Sequence, residues 1–285
     1  MTRLASDDVK SIAERLSEYD TDLAARTGHS LRGVACLAAG IPEKEIGDRL
    51  KDAFVGVIPI TAGEGVIAGF CDAVAGIASH MGCKTFITRA PDVAGLAEAF
   101  EKKADIVMLA DDHRFIALHV ASRRIVDNQT ATAKGFAAGL SLMSGGLDKK
   151  NVLVIGCGPV GRSAATELVA MQARISVYDI NTAASIDLAE TLKQSSNAII
   201  EVIKDIDQAL EGHKFIIDAS PAADIIKARH ITSDTYISAP GVPVGLDKKA
   251  RLKIGNRLLH DPLQIGVATM VISASKFQIS SISLK

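Results

Sequence analysis

The clearest chemistry in the sequence lies in one glycine-rich turn and one carboxylate downstream of it. Gly156-Cys157-Gly158-Pro159-Val160-Gly161 follows the apolar run Val152-Leu153-Val154-Ile155 and opens a stretch with helical periodicity. The first glycine permits a tight turn, the second lets backbone approach a pyrophosphate, and the third lets the helix lie close to the strand. Peptide N–H groups at the helix start then face the phosphates. Twenty-three positions after Gly156, at the end of the next predicted strand, Asp179 stands between Tyr178 and Ile180. A carboxylate here accepts hydrogen bonds from an adenosine ribose and repels a 2′-phosphate. No Lys or Arg follows it in Ile180-Asn181-Thr182-Ala183, so the pattern predicts NAD rather than NADP. Ala219-Ser220-Pro221 and Pro240-Gly241 each follow a further predicted strand, where a cofactor crosses a sheet of this kind and small residues admit it.

A second set of residues could move protons or hold a cation. Asp111-Asp112-His113-Arg114 follows the apolar strand Ile106–Ala110, and two adjacent acids at a strand end suit a cleft between domains. Asp111, directly after the strand and so rigidly held, is the first candidate for proton acceptor, while Asp112 is expected to point elsewhere. Thr61–Gly65 and Asp127–Thr130 lie beside predicted strand ends on the same side; each alone is more often a turn or a helix cap than a ligand. His260-Asp261-Pro262 ends the last predicted strand, and Asp261 is the candidate for holding an ammonium group. The seven histidines form no HxH, HExxH or HxxxH cluster, so no metal site is expected.

These residues need an α/β scaffold in two parts. The first 50 residues read as helices, with Val9, Ile12, Ala13 and Leu16 on one face and Ser6 or Asp7 as N-cap. Strand–helix–strand–helix–strand follows to Ala110, then two short strands over Phe115–Val126 and a small-residue helix over Ala131–Met143. Ser144–Lys150 reads as the linker. From Val152 the alternation of strands and helices is that of a doubly wound parallel sheet. The expected division is 1–147, a helical and α/β substrate domain, and 148–285, a Rossmann-type dinucleotide domain.

Composition narrows the function classes. The chain has 285 residues, 32 basic and 33 acidic side chains and a net charge of −1, which offers no electrostatic footprint for nucleic acid or an anionic membrane. Zero Trp and eight Phe argue against a base-stacking surface. The four cysteines show no CxxC, and the start turns polar where a signal peptide turns apolar, so a reducing cytoplasm is expected.

Several blocks, taken in order, resemble the dehydrogenase family of pyrrolysine biosynthesis: Val57-Ile58-Pro59-Ile60-Thr61-Ala62-Gly63-Glu64-Gly65, Phe86–Val93, Met108-Leu109-Ala110-Asp111-Asp112, Asp127-Asn128-Gln129, Ser238–Pro243 and Asp261–Gly266. The resemblance runs from about Leu4 to Met270. It implies NAD-dependent oxidation of the terminal amine of 3-methylornithyl-Nε-lysine, loss of ammonia and closure of a pyrroline ring. It also implies a substrate pocket of Leu4, Thr61, Ala62, Glu64, Phe70, Asp111, Asn128 and Asp261, with Leu4 closing over the reaction centre. Two alternatives stand beside it: another NAD-dependent amino- or hydroxy-acid dehydrogenase, and a non-catalytic NAD sensor.

Overall fold

The structure is a computed structural model that describes residues 4–196 and 198–277. The helical start is broken where one helix was expected. Helix α1 (Ser6–Val9) and a 3-10 turn (Ala13–Arg15) lead into α2 (Leu16–Thr27). The break follows the neighbouring helix α5 (Phe70–His80), because Gly69 and Gly76 bring that helix's backbone up to Lys10 and Ala13. Ala5 is the N-cap of α1 where Ser6 or Asp7 was expected, and the Asp8 carboxylate reaches back to accept the Ala5 N–H at 2.7 Å. Helices α3 (Leu31–Ala39) and α4 (Glu43–Asp52) complete this layer.

The first sheet has the order β2-β1-β3-β4-β5. Strands β1 (Phe54–Ile58), β2 (Lys84–Ile87) and β3 (Ile106–Ala110) are parallel, linked through α5 and α6 (Asp92–Glu101). The expected short pair is present as β4 (Phe115–His119) and β5 (Arg124–Asp127), both antiparallel. Asp127 caps α7 (Asn128–Met143), its carboxylate accepting the Gln129 N–H at 3.0 Å.

Helix α7 leads to the second sheet, order β11-β10-β9-β6-β7-β8, with every pair parallel. Its strands are β6 (Asn151–Ile155), β7 (Arg174–Tyr178), β8 (Ile200–Val202), β9 (Phe215–Asp218), β10 (Tyr236–Ala239) and β11 (Leu258–His260). Between them run α8 (Pro159–Ala170), α9 (Thr182–Ser195), α10 (Ile206–Gly212) and α11 (Lys248–Ile254). Strand order reverses between β6 and β9, and ligands bind outside the carboxyl ends of strands at such a reversal.

The last described helix, α12 (Gln264–Ser275), was not anticipated. Eleven of its twelve residues are buried, so it carries no amphipathic period to detect. It also moves the boundary. Leu263, Ile265, Val267, Met270 and Ile272 share one core with Leu31, Ile46, Ile77 and Phe136. The described residues from 148 onward are therefore not one packing unit, because the chain returns after β11 to close the first core. Helices α7 and α12 cross in close contact, since a Cβ on Gly135 would lie 2.3 Å from Ile265 Cγ2. No helix among the described residues is long and apolar enough to cross a membrane. The sequence after Lys276 fits no clear element, and residues 278–285 lie outside the described residues.

Candidate active site

Gly156 closes β6 with φ +89°, a conformation that strains L side chains. A Cβ on Gly161 would lie 1.8 Å from the Gly156 carbonyl oxygen, so only glycine lets α8 start this close to the strand. A Cβ on Gly158 would meet nothing within 4 Å. That opening lies at the start of α8, with Pro159 at the first turn and the partly buried Val160 beside it. The cradle fits a pyrophosphate.

Asp179 ends this part of the site differently from expectation. Its Oδ2 accepts the Cys157 N–H at 2.7 Å and its Oδ1 the Asn181 N–H at 2.8 Å. The carboxylate thus ties the glycine turn to the end of β7, and its remaining lone pairs are what a ribose could use. Cys157 points inward: it is buried, burial raises its thiol pKa, and its Sγ lies 3.6 Å from Ser185 Oγ. The Tyr178 carbonyl accepts the Gly156 N–H at 2.8 Å, so its main chain serves the turn. Ile180 is 93% exposed, a large apolar side chain open to a flat ring.

The next strand end is braced from below. Asp218 is fully buried, and desolvation pushes its carboxyl up to about 6 despite hydrogen bonds from Ser220 Oγ (2.7 Å) and N (3.2 Å). Ser220 turns its hydroxyl inward to Asp218, so this strand end presents main chain and small side chains rather than that hydroxyl. Ala219 and Pro221 keep partial or full exposure, and Gly241, next to Pro240, packs so tightly that a Cβ would lie 2.1 Å from the Ser220 carbonyl oxygen.

The acids form a continuous edge at the carboxyl ends of the first sheet. Asp111 Oδ1 accepts the N–H groups of His113 (2.8 Å) and Arg114 (2.7 Å). These two bonds, that to Arg114 first, hold the exposed Asp111 carboxyl below its usual range. Asp112 does not point elsewhere: its Oδ2 accepts the Glu64 N–H at 2.8 Å and closes the Thr61–Gly65 loop. Arg114 reaches Asp127 at 3.0 Å, at the cap of α7. One residue on, Asn128 is buried; its Oδ1 accepts from Thr132 Oγ1 at 3.3 Å and lies against Gly266 of α12.

Asp261 directly follows β11 of the second sheet and precedes α12. It is 3% exposed. Its Oδ1 accepts the N–H groups of Leu263 (3.0 Å) and Ile265 (3.3 Å) at the start of α12, and its Oδ2 accepts the Tyr19 hydroxyl at 2.7 Å. Burial raises its carboxyl, opposed by the Tyr19 bond, the nearby His260 and the two amides. The two candidate acids therefore differ in environment: Asp111 is exposed and held ionised, whereas Asp261 is buried with its carboxyl raised. A carboxylate that stays ionised suits a cation, and a carboxyl raised by burial suits proton uptake. A cavity of about 310 Å3, lined by Arg174, Glu201 and His213 among others, opens at the opposite ends of the strands, away from this chemistry.

Residues 8–126 match the family described as pyrrolysine biosynthesis protein PylD, N-terminal domain, and residues 127–233 match the alanine dehydrogenase/PNT C-terminal domain. Over 273 residues the chain is 30% identical to the pyrrolysine synthase of Methanosarcina acetivorans, covering 96% of this chain and 99% of that protein. The pyrrolysine synthase of Methanosarcina barkeri matches at the same identity, covering 98% of its length. The chain belongs to the pyrrolysine synthase family. Its fold is that of the quinate dehydrogenase of Corynebacterium glutamicum (TM-score 0.54, 14% identity, 78% of this chain and 92% of that one). A bifunctional methylenetetrahydrofolate dehydrogenase/cyclohydrolase of Campylobacter jejuni shares it too (TM-score 0.52, 13% identity, 94% and 96%).

In this pyrrolysine synthase family member, the other residues that the resemblance implies for a pocket are Thr61, Ala62, Glu64, Phe70 and Leu4. Thr61 is held by Asp92, which accepts its N–H at 2.7 Å and its hydroxyl. Ala62 and Glu64 are exposed on the same loop. Phe70 packs edge-on against Phe115, ring centroids 5.3 Å apart. Leu4 is half-buried and packs on the first core. The sequence reading did not single out Asp92 or Tyr19. Asp92 carried a signal, the Pro91-Asp92 helix start; Tyr19, 242 residues from its partner, carried none.

Proposed function

We propose that the protein is an NAD-dependent oxidoreductase acting on a terminal primary amine, and that its substrate is 3-methylornithyl-Nε-lysine. The observation that carries this reading is the match to pyrrolysine synthases along nearly the whole chain. The cradle at Gly156–Gly161 and the Asp179 carboxylate support NAD as the cofactor.

Asp111 holds a substrate ammonium at the end of β3, because its carboxylate stays charged. Asp261 takes the proton that the reacting ammonium must lose before its carbon can give up hydride. Bound NAD supplies the acceptor for that hydride. Water then adds to the substrate imine and ammonia leaves, giving an aldehyde; the second amino group of the same substrate condenses with that aldehyde and expels water, which closes the ring. Leu4 and Phe70 keep bulk water from the reacting carbon.

The test is direct. Purified protein with NAD and the dipeptide-like substrate forms NADH and the pyrroline-ring product in equal amounts; a panel of other amino and hydroxy acids gives far slower turnover. NADH formation with that panel and none with the dipeptide would overturn the substrate. For the cofactor, NAD binds more tightly than NADP, and Asp179→Ala weakens NAD by about 1.5–3 kcal/mol, the range for a hydrogen bond to a charged group. Calorimetric titration measures both, and equal native affinities for the two cofactors would contradict the assignment.

A further inference from the structure

Tyr19 sits on α2, in the helical layer that precedes the first sheet, yet its hydroxyl ends on Asp261 at the far end of the chain. The contact is a short one, 2.7 Å from the hydroxyl oxygen to Oδ2, and Asp261 is buried. The Leu263 and Ile265 amides donate to Oδ1, and the Tyr19 hydroxyl donates to Oδ2. Two further bonds fix α2 in place. The Arg26 guanidinium donates to the Leu258 carbonyl at 2.8 Å, and Asp20 pairs with His80 of α5 at 3.0 Å. The ring of Tyr19 also walls a cavity of about 80 Å3 with Asp22, Arg26 and His260.

We propose that Tyr19 is a positioning residue for amine oxidation: its phenol orients the Asp261 carboxylate and favours its ionised form. The inference rests on the reading of Asp261 as proton acceptor. A hydroxyl can donate to an ionised carboxylate oxygen along this line; a protonated Oδ2 loses that acceptor geometry or must reverse the bond. The bond therefore favours the anion and opposes the burial that raises Asp261. The charged and titratable groups around the pair are Asp20, Asp22 and Arg26 on α2 and His260 on β11, with the α12 amides opposite. Of these, His260 also favours the ionised carboxylate.

The sign of the test follows. Tyr19→Phe keeps the ring and removes the donor, so Asp261 becomes harder to ionise. The acid limb of the kcat/KM profile moves to higher pH by about one to two units, the scale of a lost hydrogen bond to a charged acceptor. Activity lost at neutral pH returns as pH rises, and NAD affinity stays native. Replacing Tyr19 with a difluorotyrosine strengthens the donor and moves the limb the other way. Carboxyl-carbon NMR of the free protein, with Asp261→Asn for assignment, reads the same titration without turnover. Opposite shifts in the two variants support the proposal. An Asp261 titration unmoved in Tyr19→Phe, or a loss of kcat/KM equal at every pH, would overturn it. A shifted titration in a protein that does not oxidise the dipeptide would overturn the functional reading and leave the Tyr19–Asp261 coupling standing.

Discussion

Asp261→Asn lowers kcat/KM by at least about 10²-fold, the lower range for a lost general acid–base group, with little change in NAD affinity. The amide keeps the shape and can still accept from the α12 amides, but it cannot take a proton at neutral pH. Asp111→Asn acts differently. Its carboxylate is exposed and held ionised by the Arg114 and His113 amides, so its loss weakens the hold on the substrate cation. The expected result is a higher KM at nearly unchanged kcat. Steady-state kinetics on the two variants, with calorimetric NAD binding as the fold check, separates them. A kcat collapse in Asp111→Asn with a native-like kcat in Asp261→Asn would return the two acids to the roles read from the sequence.

Gly161→Ala is the second large effect. The added methyl lies 1.8 Å from the Gly156 carbonyl oxygen, which is main chain and has no rotamer to yield. Helix α8 must back away from β6, at a cost of about 1–3 kcal/mol as for other overpacked sites, and the cradle opens with it. Both Tm and NAD affinity fall. Gly158→Ala is the contrast, because its Cβ meets nothing within 4 Å. There the fold keeps its Tm while NAD affinity drops, since the methyl enters the space left for the pyrophosphate. Thermal unfolding and calorimetry measure the pair. An unchanged Tm in Gly161→Ala, or native NAD affinity in Gly158→Ala, would show that the turn does not work in this way.

Local signals were enough for most of the second sheet and its turn. Gly156, Gly158 and Gly161 report on backbone within a few residues of themselves, and the strand before them is apolar on both faces. The pair β4–β5 and the cap at Asp127 are legible for the same reason: alternation and capping act over two to four residues. The acids were legible as strand-end residues, but not their chemistry. Asp111 differs from Asp261 through two amides that its own turn presents and through the absence of a cover, and Asp261 is covered by α2, which lies 242 residues earlier in the chain. Burial, and with it the order of the two carboxyls, is a property of what packs on top. Helix α12 was hidden because burial on all sides erases the periodicity by which helices are read. Its return to the first core is decided by Gly135 and Gly266, whose missing side chains let two helices meet. What the sequence by itself determined is the pair of sheets, the cofactor turn and the row of candidate acids; the tertiary structure alone decided which acid is buried, which partner it has and where the second half ends. A one-dimensional pattern records each residue's own preferences, whereas desolvation and hydrogen bonding depend on neighbours brought together from opposite ends of the chain.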